Sequence, residues 1–273
     1  MAIKDLLAVV DTGDKDEQFI KDALSFAEFH EARLTFLVLS VIPSGDYAVM
    51  WGAPYVILQD FVEAVETKEK RLVERTRLSN IEVRTISDQP GVMLTKAAVQ
   101  ARYADMVLFG PADTYEYPPV RRDTIESILF ASGRPVLVLP NGYQPRTFDH
   151  IALGWNASRE ATHALRDATG IAASGAKVEV LVLDGRPSTK GHGSDPGADI
   201  ARHLSRHGFA TNVVTLNALE KTDAETLVQG ARQHSANLLV LGAYGHSRLR
   251  EMVLGGVTRE LIAGAPLPLL FSH

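Results

Sequence analysis

No cysteine occurs among the 273 residues. This absence excludes disulfide bonds, cysteine-ligated zinc sites and thiol nucleophiles, and it is compatible with a reducing compartment. The sequence also lacks an uncharged apolar run of about 18 residues, the length that a membrane-spanning helix requires. The N-terminus enters a short apolar strand and shows no signal-peptide pattern. We therefore expect a cytoplasmic protein with no membrane partner.

The sequence also has fewer basic than acidic residues. The chain has 28 Lys and Arg against 33 Asp and Glu, for a net charge of −5. The first 145 residues hold 15 basic and 21 acidic side chains, and the remaining residues hold 13 and 12. An acidic chain is poorly suited to neutralising nucleic-acid phosphates, so we expect no nucleic-acid partner. A small anion is more favourably bound by the second half, whose basic and acidic residues nearly balance.

Short β-branched runs alternate with segments of helical hydrophobic spacing, and the series occurs twice. The first half predicts strands over residues 3–10, 34–41, 81–86, 106–109 and 135–139, and helices over 17–30, 91–103 and 124–132. The second half predicts strands over residues 151–155, 177–183, 210–215, 238–241 and 267–271, and helices over 159–174, 196–207, 222–234 and 257–263. Residues 105–110 align with 237–242. A period of about 130–145 residues predicts a domain duplication.

Strands that alternate with helices predict parallel sheets covered on both faces, a doubly wound α/β architecture. We predict two tandem domains of this class, residues 1–143 and 147–273, each with a five-stranded parallel sheet. Ligands of open α/β sheets bind beyond the carboxyl ends of the strands, where the strand order reverses. The loops after the first and fourth strands of each half are therefore the candidate site.

One of these loops is rich in glycine. Gly242 is followed by Gly245 and, after nine further residues, by Gly255, between a predicted strand and a predicted helix. Glycines allow backbone N–H groups to approach an oxyanion, and a helix N-terminus adds partial positive charge. Cationic side chains surround the loop: His246, Arg248, Arg250 and Arg259. The alternative is a tight turn followed by a packed helix.

This glycine spacing, Gly242-x2-Gly245-x9-Gly255, resembles the ATP-binding signature of the universal stress protein (UspA-like) family. The two-copy layout is similar to that of its tandem members. The resemblance implies a Rossmann-like, adenine nucleotide alpha hydrolase-like fold in each half. It also implies a pseudo-twofold internal pair, in which the strand at residues 136–139 faces the strand at 267–271.

The resemblance further implies an ATP or AMP site in the second half and no catalytic residue. The residues that match the family's nucleotide contacts are Trp155 and Asn156 near the adenine, Val182 as its apolar wall, Leu241, Gly242, Gly245 and His246 along the ribose and phosphates, and Gly255, Gly256, Val257 and Thr258 at the phosphates. Two positions depart from the family pattern. Asn156 stands where Asp is usual, which weakens binding of Mg²⁺, and Gly256 stands where Ser or Thr is usual.

The first half lacks this motif, and we expect it not to bind ATP in the family manner. Its fourth strand leads into Gly110 and Pro111, and proline has no N–H to offer. Asp113 and Glu116 place negative charge where an anion would lie, while Arg121 and its neighbour are predicted to lie on a solvated face. The acidic residues between 11 and 17 are predicted to complement a helix dipole.

These features favour a stress-response regulator that binds an adenine nucleotide and an unidentified protein partner, with further homodimer formation left open. The alternatives are a nucleotide-free scaffold protein and a slow ATP hydrolase. His203 and His207, with His192, could bind zinc, but a solvated helix end explains them better, and we predict no metal site. Residues 44–59 are either a lid, a partner surface or a segment packed on its own domain.

Overall fold

The computed structural model describes residues 3–42, 54–76, 81–185, 195–243 and 256–273. Backbone contacts divide the chain into two compact units. The N-terminal unit comprises Ile3–Arg134 and Asn141–Gln144, and the C-terminal unit comprises Pro135–Pro140 and Pro145–His273. The last strand of the first sequence repeat is thus counted with the C-terminal unit. The predicted boundaries, 1–143 and 147–273, remain a prediction.

The N-terminal unit is a parallel α/β unit. Its strands are β1 (Asp5–Asp11), β2 (Arg33–Val41), β3 (Ile81–Asp88) and β4 (Met106–Phe109), and its helices are α1 (Glu17–Phe29), α2 (Pro54–Thr76), α3 (Pro90–Ala101) and α4 (Pro118–Ala131). The strand order is β3-β2-β1-β4, and every pair is parallel. All four residues of β4 are buried. Because successive side chains point to opposite faces, both faces of this strand are covered.

The C-terminal unit repeats this architecture. Its strands are β5 (Val136–Val138), β6 (Phe148–Gly154), β7 (Ala172–Leu183), β8 (Ala210–Leu216), β9 (Leu238–Gly242) and β10 (Leu269–Ser272), and its helices are α5 (Arg159–Ile171), α6 (Ala198–Arg206), α7 (Asp223–Gln233) and α8 (Gly256–Leu261). The strand order is β5-β10-β9-β6-β7-β8. Among the strand pairs described for this unit, β5 with β10 is the antiparallel one, with Val138 opposite Leu269. The predicted doubly wound fold and the predicted pairing of the two last strands are confirmed.

The principal element that the sequence reading missed is α2. This helix of 23 residues begins at Pro54, inside the segment for which the sequence leaves open a lid, a partner surface or packing on its own domain. Proline is well accommodated in the first turn of a helix, where its missing N–H costs no hydrogen bond. Residues 44–53 of that segment lie outside the described residues.

Two boundaries also differ from prediction. Helix α4 begins at Pro118, six residues earlier than expected, with two prolines in its first turn. Strand β7 begins at Ala172, where the sequence predicted the end of the preceding helix. The register between β6 and β7 shifts between Phe148 and His150, and this irregularity accommodates the extra residues.

Candidate functional site at the carboxyl edge of the C-terminal sheet

The strand order of the C-terminal unit reverses beside β6. From β6 the chain runs outward through β7 and β8, then returns to the other side of β6 to form β9 and β10. Gly154, at the end of β6, is paired with Leu241 on one side and with Leu181 on the other. Such a reversal is where open α/β sheets bind ligands. The ends of β6 and β9 therefore lie side by side at the candidate site.

The loop after β6 is held by local hydrogen bonds. The Trp155 N–H donates to the Leu181 carbonyl oxygen (N···O 2.9 Å). The Asn156 Oδ1 accepts from the Ser158 N–H (3.2 Å), and Ser158 Oγ accepts from the Ala161 N–H (3.1 Å) as the N-cap of α5. Trp155 is half-buried and Asn156 is exposed. The Asn156 oxygen is thus engaged in a local turn, and this side chain brings no charge that could hold a divalent cation.

Gly242 ends β9 directly against the first turn of α5. A Cβ at this position would lie 2.4 Å from Ala161 N and 2.6 Å from the carbonyl carbon of Glu160. These two backbone atoms cannot move away without displacing the helix. A Cβ would therefore clash with them, so only glycine fits. The first glycine of the motif therefore has a packing role that is independent of any ligand.

Val182 and Leu241 belong to the core beneath this edge. Val182 is completely buried, and Leu241 is 6% exposed. The Val182 methyl groups lie close under Gly185 and Gly197, where an added Cβ would be 2.5 Å and 3.0 Å away. These side chains support the edge from below.

The remaining part of the glycine motif is described only at its end. Gly245, His246 and Gly255 lie outside the described residues. Gly256 is exposed and opens α8, and within the described chain no atom lies within 4 Å of a Cβ built there. A side chain at Gly256 would therefore meet none of the residues that the structure describes.

The two other predicted residues of α8 differ in exposure. Val257 is half-buried, and Thr258 is 5% exposed. The helix lies beside the start of α7, where Thr222 Oγ1 donates to Glu260 Oε1 (2.8 Å). Thr222 is also the N-cap of α7, in a reciprocal capping box with Glu225. This packing fixes α8 at the carboxyl edge of the sheet, since α7 follows β8.

Comparisons with known proteins identify the half of the chain that carries this site. The model of the family described as "Usp: Universal stress protein family" matches residues 147–273. The second half of the chain is a universal stress protein domain. A curated relative, the universal stress protein Slr1230 of Synechocystis sp., is 23% identical over 146 residues. That match covers 54% of this chain and about half (49%) of the relative's own length.

Solved structures show a likeness of fold over nearly the whole chain. A universal stress protein from Archaeoglobus fulgidus DSM 4304 superposes with a TM-score of 0.65 at 13% identity, covering 97% of this chain and 95% of its own. A Pseudomonas aeruginosa UCBPP-PA14 protein provisionally assigned to the same family gives a TM-score of 0.55 at 14% identity, covering 99% and 93%. At these identities the likeness concerns the fold alone.

The N-terminal unit has its own reversal of strand order, between β1 and β4, and side chains close it. The Asp11 carboxylate bridges the loops after these two strands, since it accepts from the Gly13, Glu116 and Tyr117 N–H groups. The Tyr115 hydroxyl donates to the Val9 carbonyl oxygen (2.6 Å). Burial raises the pKa of Tyr115, so this phenol stays protonated as a donor. This edge of the N-terminal unit is occupied by the unit's own groups.

Arg121 contradicts the expectation of a solvated face. It is only 2% exposed, and its Nε and Nη2 both donate to the Gly110 carbonyl oxygen (2.9 and 2.6 Å). Its guanidinium also lies 5.3 Å from the centre of the Tyr115 ring. The neighbouring Arg122 is partly exposed and pairs with Asp123, as expected for a surface residue.

The acidic residues of the loop after β1 have specific partners in addition to the predicted place at a helix N-terminus, where Glu17 lies in the first turn of α1. Asp14 pairs with Arg71 Nη1 (2.6 Å), and Asp16 pairs with Lys68, both from α2. Asp16 precedes α1 but makes no side-chain cap hydrogen bond. Helix α2 therefore holds this loop in place.

A cluster around Glu179 of the universal stress protein domain was not predicted. Its buried carboxylate accepts from Lys177 Nζ (2.6 Å) and Asn212 Nδ2 (2.8 Å), and His150 and His234 approach the same Oε1 atom at 3.4 and 3.7 Å. Burial acts to raise the pKa of Glu179, but the hydrogen bonds from Lys177, Asn212 and His150 more than offset it, and the pKa is lowered. The cluster lies near the start of β6 and ties three strands together.

His203 and His207 lie together on the exposed end of α6, with ring centres 4.6 Å apart. His192 lies outside the described residues. Among the residues with described positions, no group of three or more His, Asp or Glu side chains could hold a metal ion. In the same part of the chain, no helix combines the length and hydrophobicity that crossing a membrane requires.

Proposed function

We propose that the universal stress protein domain binds an adenine nucleotide, ATP or AMP, at the carboxyl edge between β6 and β9. The observation that carries the proposal is the reversal of strand order at Gly154, flanked by the Trp155–Asn156 turn and by the glycine motif that begins at Gly242. Resemblance to the family's ATP-binding signature supports the same position.

Each predicted contact has a part in this proposal. The half-buried Trp155 and the amide of Asn156 would meet the adenine, while Val182 and Leu241 support that contact from the core. Backbone N–H groups from Gly242 to Gly245 and from Gly255 to Thr258 would bind the ribose and phosphates, with His246 nearby. Because Asn156 is uncharged and Gly256 has no hydroxyl, we expect Mg²⁺ to add little to binding.

We propose that the protein acts in the cell as a cytoplasmic stress-response regulator. Nucleotide binding would change the surface to which a protein partner binds. The chain would be a tandem protein with domains at residues 1–143 and 147–273 and one nucleotide site. We expect no enzymatic activity beyond slow ATP hydrolysis. The closed edge of the N-terminal unit supports a single site per chain.

The test is to denature the purified full-length protein and identify any released nucleotide by chromatography and mass spectrometry. We expect close to one ATP, ADP or AMP per chain. Two per chain would contradict the single-site assignment. No released nucleotide, together with a melting temperature that does not respond to millimolar ATP or AMP, would reject the proposal.

The variant that best separates binding from folding is Gly256→Leu. Its side chain would enter open space in the described structure and obstruct the approach of phosphates, so we expect loss of nucleotide and of the thermal stabilisation that nucleotide gives, while the nucleotide-free proteins melt at the same temperature. Gly91→Leu is the matched control, because Gly91 also lies in the first turn of a helix and a Cβ there also meets no described atom within 4 Å. Equal nucleotide content in both variants would contradict the site.

The second candidate function is a nucleotide-free scaffold. It is favoured by the turn in which the Asn156 oxygen is already engaged and by the absence of charge on that side chain. The nucleotide assay above distinguishes the two functions directly.

A further inference from the structure

Strand β8 is the outermost strand of the C-terminal sheet. It pairs in parallel with β7 over all seven of its residues, and among the residues that the structure describes no strand pairs with its other side. None of its seven residues is buried, whereas β9, inside the same sheet, is buried over four of its five residues. β8 therefore offers a row of backbone groups to another strand and room for side chains on both faces.

The hydrogen bonds to β7 show which backbone groups of β8 point outward. The Leu216 carbonyl oxygen accepts from the Asp184 N–H (2.9 Å), on the side of β7. Because the backbone groups of successive residues point to opposite sides of a strand, the N–H and carbonyl groups of Thr211, Val213 and Thr215 point away from β7. The register with β7 is regular from end to end, so this alternation holds along the whole strand.

β8 lacks the features by which edge strands usually avoid pairing. Its sequence, ATNVVTL, contains no charged residue and no proline. Strand β3, at the edge of the N-terminal sheet, instead carries Glu82, Arg84 and Asp88, and its Glu82 pairs with Arg33 and Arg84. Charged side chains on an edge strand oppose the approach of another strand. The edge at β3 is therefore protected, and the edge at β8 is not.

Side chains on both faces hold β8 in its extended conformation. On one face, Thr211 Oγ1 donates to the Ala201 carbonyl oxygen of α6 (3.2 Å). On the other face, Asn212 Nδ2 donates to Glu179 Oε2 (2.8 Å). A strand that is already ordered loses little conformational entropy when another strand pairs with it. The edge is therefore preorganised for association.

The outward-facing residues of β8 read the same in both directions: Thr211, Val213 and Thr215. When a second copy of the strand runs antiparallel with its Val213 opposite this one, each Thr211 lies opposite a Thr215. Every outward N–H then meets an outward carbonyl group, and each residue pair exchanges two hydrogen bonds. Thr–Thr pairs across neighbouring strands add to the stability. The strand is thus complementary to a second copy of itself.

The segments on either side of β8 carry opposite charges. Arg206 and His207 precede the strand and Glu220 follows it, and all three are exposed. The next residue, Lys221, donates to Gln229 of α7. In an antiparallel pair the start of one strand lies beside the end of the other, so the basic segment of each copy meets the acidic residue of its partner. Charge complementarity therefore favours a second copy in the antiparallel direction.

We propose that β8 is the interface of a homodimer, in which two copies of the chain pair through antiparallel β8 strands about a twofold axis at Val213. This pairing uses the free side of β8 in both copies, so the assembly stops at two chains. The interface contains none of the residues assigned to nucleotide binding. It therefore goes beyond the proposed function and does not depend on it.

Sedimentation of the full-length protein over a series of concentrations tests the dimer. We expect a species of twice the 29.7 kDa chain mass that dissociates on dilution. Thr215→Pro removes an outward N–H and leaves the hydrogen bonds to β7 intact. We expect it to raise the dissociation constant at least about tenfold, since each dimer loses hydrogen bonds at both ends of the interface.

Val83→Pro is the matched control, because it makes the same kind of change on β3. The Asp88 carbonyl oxygen of β3 accepts from the Ile42 N–H, so by the same alternation the Val83 N–H points away from β2. We expect this variant to dimerise like the wild type. A wild-type chain that stays monomeric up to about 0.5 mM would overturn the proposal. So would equal weakening by the two proline variants.

Charge exchange tests the antiparallel direction. Arg206→Glu and Glu220→Arg should each raise the dissociation constant about three- to tenfold, because each replaces an attractive contact by a repulsive one at both ends of the dimer. The double variant restores opposite charges at each end, and we expect it to recover most of the wild-type affinity. A double variant that dimerises no better than the single variants would contradict this pairing.

The absence of cysteine from the chain allows a test of the register. Val213→Cys places two thiols opposite each other on the twofold axis, at a Cα separation of about 5.5 Å that a disulfide can span. Thr215→Cys is the control: Thr215 is more exposed than Val213, but in the dimer it lies about 13 Å along the strand from its counterpart. We expect mild oxidation to cross-link the first variant and not the second. Equal cross-linking, or none in Val213→Cys, would overturn the proposal.

Discussion

Lys68 of α2 and Asp16 before α1 form an ion pair in which both side chains are completely buried, with Nζ 2.6 and 2.5 Å from the two carboxylate oxygens. The Gly13 carbonyl oxygen accepts a further hydrogen bond from the same Nζ. Burial raises the pKa of Asp16 and lowers the pKa of Lys68, which means that dehydration opposes the charged forms. The pair therefore depends on both partners being present.

We expect Lys68→Met alone to destabilise the N-terminal unit by about 3–5 kcal/mol, because it leaves the buried Asp16 carboxylate with a weaker partner, Arg71 Nη2 at 3.9 Å. The double variant Lys68→Met/Asp16→Leu is expected to recover most of that loss, since apolar side chains of similar branching avoid the dehydration cost. Denaturant unfolding of the single and double variants provides the measurement. Lys70→Met, at an exposed position of α2, is the control and should change stability little. A double variant as unstable as the single one would refute this account.

Gly242→Ala is expected to destabilise the universal stress protein domain by at least about 1–3 kcal/mol, a typical cost of overpacking. The added methyl would lie 2.4 Å from Ala161 N, a backbone atom in the first turn of α5. Gly256→Ala is the control, because its methyl meets no described atom within 4 Å. Thermal or denaturant unfolding should separate the two variants. Equal stabilities would show that β9 and α5 are not in the contact described above.

Glu179 should contribute stability that depends on pH. Its pKa is lowered in the folded protein, so its contribution is present above the ordinary glutamate pKa and is lost as the pH falls through the folded value. We expect acid to destabilise the wild-type protein more than Glu179→Gln, measured as the free energy of unfolding between pH 7 and pH 3. Glu160→Gln, a partly buried glutamate on α5, provides a comparison. Parallel pH profiles for wild type and Glu179→Gln would exclude the effect.

Tyr115→Phe removes the hydroxyl that bridges Val9 and Gly110 while keeping the buried ring. Leaving the carbonyl and the N–H without this partner in a buried site should cost about 1–3 kcal/mol. Tyr103→Phe, at a tyrosine that is 75% exposed, should cost close to nothing. Urea unfolding followed by two probes would also reveal whether the two units unfold separately. A Tyr115→Phe variant as stable as wild type would show that water replaces the hydroxyl there.

Much of the architecture followed from the hydrophobic pattern. The runs that became β4 and β9 are apolar along their whole length because their side chains are buried on alternate faces. The repeated order of strands and helices predicted two doubly wound units, and family resemblance added the pairing of β5 with β10, whose antiparallel direction the structure supplied. Helix α2 escaped prediction because proline, glycine and aromatic residues before it suggested a loop.

The candidate site was predicted in position more than in detail. The reversal of strand order placed it at the ends of β6 and β9, where the chain folds as expected. The sequence did not reveal that Gly242 is needed for packing against α5, or that the Asn156 oxygen is engaged by Ser158. Such roles depend on which backbone groups come close in space, and a motif records only their spacing along the chain.

The sequence by itself determined the class of fold and the edge of the sheet where a ligand would bind, because periodic burial is a local property of the chain. Only the tertiary structure decided what the charged and aromatic residues do. Lys68 meets Asp16 across 52 residues, and the Tyr115 hydroxyl meets the Val9 carbonyl across 106. A polar group can be buried only where its hydrogen bonds are satisfied, and those partners come together only when the chain has folded.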